Sequence, residues 1–141
     1  MTTNELGTQM GNIAIKAFNF LYDNFSNSPE ITDELKQKVK GEREKIFTEF
    51  IPLVKQCHTF GEEDVADIGQ IMALTYMQGI DDAGTKLQKM ASIVENIVHE
   101  GGDEAFMRDF MSLSVMFEFL EKPTEDDEEG KAMLKHVGLL D

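Results

Sequence analysis

Phe106-Met-Arg-Asp-Phe-Met-Ser-Leu-Ser-Val-Met-Phe-Glu-Phe-Leu120 is apolar on two opposite sides of one helix. At about 100° per residue, Phe106, Phe110, Leu113, Phe117 and Leu120 fall on one narrow stripe. Met107, Met111, Val115 and Phe119 fall on another, nearly opposite. One stripe is enough to join a core. The second implies either a central place in a helical bundle or a face that holds another molecule.

The segments on both sides of this stretch read with the same helical period, and none alternates like a strand. Upstream, residues 4–25 place Leu6, Met10, Ile13, Ala17, Phe20 and Leu21 on one face. Pro29 interrupts the chain, since proline suits a helix start better than its interior. A second helix then starts at Ser28 or Thr32; Thr32 brings a capping hydroxyl followed by two first-turn acids. Its stripe is Leu35, Val39, Ile46 and Phe50. Gly41 weakens it, and Pro52 is expected to kink or end it. Should the helix pass Pro52, Leu53 and Cys57 continue the stripe.

Residues 59–64 mark a third start. The helix that follows carries Val65, Ile68, Met72 and Tyr76 on one side and Leu74 and Met77 on the other, so it too is apolar nearly all round. After the turn at 79–84, residues 82–100 form an amphipathic helix. Ala83, Leu87, Met90, Val94 and Val98 point inward; Lys86, Lys89, Ser92, Asn96 and His99 point outward. Gly101 and Gly102 end it, Asp103 caps the two-faced helix, and Pro123 stops that one. Thr124 is placed to cap a last short helix with Met133, Val137 and Leu140 along its apolar edge. Of the glycines, Gly69 is the one read as a close helix contact. The fold class is therefore all-α, a single compact bundle of five to six helices with no sheet. Residues 1–122 form the bundle, and 123–141 form an acidic segment plus a short helix packing on or extending it.

Charge narrows the partners. Thirteen basic against 27 acidic side chains give −14, a surface that repels phosphate backbones and anionic lipid. Direct nucleic-acid binding and membrane binding are not expected, and no apolar run approaches the ~20 residues of a membrane span. The first twelve residues lack the basic start and apolar stretch of a signal peptide. Cys57 is the only cysteine, so no internal disulfide forms and a reducing cytoplasm is the expected compartment.

Chemistry is hard to find in the chain. Cys57 and His58 are adjacent, and neighbours on a helix do not face each other, so a buried structural thiol is the better reading than a nucleophile. Of the three histidines, His58, His99 and His136, His99 stands four residues from Glu95 on an exposed face, and one such pair falls short of a metal set. The two Glu-x-x-His motifs of a di-iron bundle are missing. Glu125–Glu129 lacks the alternation of a calcium loop; a solvated run favouring a helix N-terminus explains it. No catalytic residues, cofactor or metal are assigned, and the chain is not read as an enzyme.

Nine methionines in 141 residues point to a soft, adaptable surface or a soft core. The leading expectation is a non-enzymatic protein–protein interaction protein: an adaptor, assembly chaperone or inhibitor. Its partner-binding residues are Met107, Met111, Val115 and Phe119, an apolar face rimmed by acids that suits a basic protein. Association into a homodimer through that stripe is a variant. The alternative is an acidic nucleic-acid mimic that blocks a DNA- or RNA-binding protein. A small helical metal-binding or carboxylate-based enzyme is the second alternative.

Overall fold

The computed structural model describes residues 1–100, 103–114, 116 and 126–136. These form six helices and, among the described residues, no strand: α1 (Thr3–Phe25), α2 (Asp33–Cys57), α3 (Glu62–Gly79), α4 (Ala83–Glu100), α5 (Glu104–Ser114) and α6 (Glu128–His136). The all-α bundle read from periodicity is the observed architecture.

Local chemistry sets the helix ends. Thr2 Oγ1 accepts from the Glu5 amide at 3.1 Å, and the Glu5 carboxylate reaches back to Thr2, a capping box that starts α1. Thr32 Oγ1 accepts from the Leu35 amide at 3.2 Å and starts α2. Of the two starts read for this helix, Ser28 is excluded: it lies in the left-handed region at φ 50°, outside the helix. Pro52 does not end α2, which runs on to Cys57, and Leu53 and Cys57 are buried as the continued stripe requires. Asp127 caps α6, its Oδ1 accepting from the Gly130 amide at 2.8 Å; Thr124, the cap expected from the sequence, lies outside the described residues.

The middle of the bundle belongs to α1. From Glu5 to Phe25 this helix is exposed only along one narrow edge: Glu5, Gln9, Asn12, Lys16, Asn19 and Asp23. Around the rest of its circumference it meets α2, α3, α4 and α5. Its tightest contact is with α3. A Cβ at Gly7 would lie 2.7 Å from Ile71 Cβ and 2.9 Å from the Ile68 carbonyl oxygen; one at Gly11 would lie 2.6 Å from Thr75 Cβ and 2.9 Å from the Met72 carbonyl oxygen. Further along, Ile15 fills the space at Gly79. Gly7 facing Ile71, Gly11 facing Thr75 and Ile15 facing Gly79 make α1 and α3 parallel, one rising with the other. Glycine on the α1 side is what lets the two backbones approach this closely.

The amphipathic helix α4 differs from its sequence reading at one point. Met90, Ile93 and Ile97 are buried, whereas Val98 is 52% exposed. Two seams offset by one residue are open to this sequence, and packing selects the one carrying the two isoleucines. Lys86 and Lys89, read as outward, place their ammonium groups over the Tyr22 ring, 5.4 and 5.7 Å from its centroid, an arrangement that keeps the charge wet while the stem covers the ring. Among the described residues no helix is long and apolar enough to cross a membrane.

Candidate protein-binding surface

The short helix α5 lies antiparallel to α1 and parallel to α2. Its start is fixed by Asp103, whose Oδ1 accepts from the Phe106 amide at 2.7 Å and whose Oδ2 meets Lys36 Nζ of α2 at 2.8 Å. The Lys36 bond and the backbone bond hold the Asp103 carboxyl below the ordinary aspartate range. About two turns later, Arg43 Nε of α2 stands 3.6 Å from Asp109 Oδ1, and both side chains are mostly buried. The Arg43 guanidinium also lies over the Phe47 ring at 4.9 Å. Its Nε and Nη2 are buried and, among the described residues, make no hydrogen bond. Burial accordingly pulls the guanidinium below its ordinary value, against the opposing attraction of Asp109. A groove of about 450 Å³ runs between α2 and α5.

With α5 anchored in this way, the inner stripe read from the sequence is core: Phe106, Phe110 and Leu113 are buried. The Phe25 ring of α1 meets Phe110 edge-on at 5.1 Å and Phe106 at 6.4 Å, a geometry that aromatic pairs favour. Phe117 and Leu120 lie outside the described residues. Leu113 and Met116 reach a cavity of about 30 Å³ bounded by Phe18, Leu21, Tyr76 and Met90, room for about one water. Burial there pushes the Tyr76 hydroxyl up to about 12.

The opposite stripe is intermediate. Met107 and Met111 are half-buried, each touching the core on one side and solvent on the other. Val115 and Phe119, the other two residues of that proposed face, lie outside the described residues.

A second surface is more open. On α3, Leu74 is 59% exposed and Met77 45% exposed. Ala66, Gln70 and Ala73 are exposed on the same side of the helix. The opposite side of α3 carries Ile68 and Met72, both fully buried against α1. The sequence showed Leu74 and Met77 turned away from the core side of α3. It did not single them out, because apolar residues all round a helix read equally well as a helix covered on every side.

The candidate chemical groups stay apart. Cys57 is fully buried, and burial raises its thiol above the ordinary range, which keeps it protonated and unreactive. His58 forms the cap at the end of α2. Glu95 Oε1 and His99 Nε2 stand 3.9 Å apart with both side chains largely in solvent. Among the described residues, no three His, Cys, Asp or Glu side chains gather in a way that could hold a metal ion.

No family model, no curated protein and no solved structure matches this chain.

Proposed function

We propose that the protein is a non-enzymatic interaction protein that acts by covering or holding another protein. The observation that carries this reading is the exposure of Leu74 and Met77 on one side of α3. Burying a Leu or Met side chain is worth about 1.5–3 kcal/mol, so two of them side by side in water form a ready anchor pair for an interface. The half-buried Met107 and Met111 supply a second, shallower apolar surface of the kind that adapts to a partner. With a charge of −14, the partner that fits is a basic protein. A cytoplasmic site of action belongs to the same proposal.

A photo-reactive residue in place of Gln78, beside Met77, and another in place of Arg108, beside Met107, test it in the native cell. The expected result is a discrete adduct with one protein, lost from the Gln78 position when Leu74 and Met77 are changed to Gln. Adducts at neither position would overturn the reading. Adducts that survive those changes but vanish with moderate salt would favour the nucleic-acid mimic instead.

A further inference from the structure

We propose that the outer face of α3 docks a basic amphipathic helix, its apolar residues seated on Leu74 and Met77 and its lysines or arginines reaching acids at both ends of that face. The inference rests on the interaction reading above and names the occupant of its surface.

Three observations specify the occupant. The first is spacing. Ala66, Gln70, Ala73 and Met77 recur at steps of four, three and four, and all are exposed. That is the seam one helix offers another, here with Leu74 alongside. The alanines keep the seam low, so a partner helix can lie close.

Charge along the axis is the second. Glu63 and Asp67 are exposed and fall within about 20° of the line through Leu74. Asp67 precedes Leu74 by about 10 Å of helix axis. Asp81 and Asp82 are exposed in the turn just past the end of α3. An apolar centre thus has carboxylates at each end.

The third is what the segment lacks. From Gln56 to Thr85 the sequence holds no lysine or arginine, so no cation carried by the segment neutralises these acids. A membrane of anionic lipid or a nucleic acid would be repelled. A second copy of the face would be repelled as well: because both ends are acidic, parallel and antiparallel two-fold pairings alike set carboxylates against carboxylates. A partner helix with apolar residues at i, i+3 and i+4, and Lys or Arg about two turns to either side, meets every feature at once.

The test uses three designed peptides against the full chain, with binding read by fluorescence anisotropy. The first peptide is helical with a leucine stripe and lysines at both ends. The second has glutamates in place of the lysines, and the third has the composition of the first in scrambled order. Binding of the lysine peptide alone is expected. Leu74→Gln with Met77→Gln should weaken it roughly tenfold or more, as loss of buried anchors does. Asp67→Lys with Asp81→Lys should abolish binding of the lysine peptide and admit the glutamate peptide. Because these residues are exposed, thermal melts should show all variants folded. The proposal is overturned if the lysine peptide does not bind, if the scrambled peptide binds equally, or if the Leu74 and Met77 changes leave binding intact. It is also overturned if sedimentation shows a dimer that those changes dissolve. An adduct at Gln78 together with failure of the lysine peptide would sink this inference and leave the interaction reading standing; failure of both would sink both.

Discussion

Gly11 of α1 faces Thr75 of α3 so closely that a Cβ on the glycine would stand 2.6 Å from the threonine Cβ. Neither the Thr75 Cβ nor the nearby Met72 carbonyl can swing aside, because both belong to or adjoin the backbone of α3. Gly11→Ala must therefore push the two helices apart, at a cost of about 1–3 kcal/mol. Gly41 provides the control: a Cβ there meets nothing within 4 Å, and Gly41→Ala in the interior of α2 should stabilise by about 0.5–1 kcal/mol. Urea denaturation of both variants checks the pair, and equal effects would refute the close contact.

Phe110 is fully buried beneath the ring of Phe25. Phe110→Ala should destabilise by about 3–5 kcal/mol through the cavity it leaves. Met111→Lys, on the half-buried side of the same helix, should keep the fold, because the lysine stem can lie along the apolar surface with its charge in water. Its effect should appear in partner binding instead. Thermal melts separate the two substitutions, and unfolding of Met111→Lys would contradict the reading of that side as surface.

Asp109 is what balances the Arg43 guanidinium, two nitrogens of which are buried and, among the described residues, make no hydrogen bonds. Asp109→Ala strands that cation and should cost about 2–3 kcal/mol, somewhat less than for a fully enclosed pair. Replacing both, as Asp109→Leu with Arg43→Met, should recover most of the loss or exceed the parent. A double-mutant cycle in urea measures the coupling, and strictly additive effects would show that the two groups do not interact.

Asp103 titrates below the ordinary aspartate range because Lys36 and the Phe106 amide hold its charged form. A depressed carboxyl contributes stability that is present above its unfolded value, about 3.9, and is lost as pH falls through the lower folded value. Asp103→Asn keeps a capping side chain but cannot titrate. Its stability should fall less steeply below about pH 4 than that of the parent. Parallel acid-denaturation curves would show that the Lys36 contact contributes nothing.

Some of this architecture was readable and some was not, for identifiable reasons. The inner stripe of α5 was readable because Phe106, Phe110 and Leu113 repeat at helical spacing and are too large to leave exposed. Cys57 was readable as buried because it continues the stripe of Val39, Ile46 and Phe50. The seam of α4 was not, since Val94 and Val98 compete with Ile93 and Ile97 on equal chemical terms and only the shape of α1 decides between them. Gly7 and Gly11 are not legible in the sequence, because a glycine within a helix reads as weakness until a second backbone is placed against it, and nothing in the residue pattern favours them over Gly69. The open face of α3 was half readable. Its apolar residues were evident, and the missing cations between Gln56 and Thr85 were the signal that could have marked it, but exposure is settled only by the neighbours a helix fails to have.

The parallel pairing of α1 with α3 has a kinetic consequence. Gly7 and Gly11 cannot meet Ile71 and Thr75 until the chain has closed a loop more than sixty residues long, with α2 folded back inside it. An up-and-down bundle whose neighbours are consecutive in sequence forms its contacts locally and folds in microseconds to milliseconds. Here the closest contact of the central helix is among the later ones to be rewarded. The chain should therefore fold more slowly than an all-helical protein of its size with sequential packing, with the α1–α2 hairpin formed early and the glycine seam closing over it afterwards.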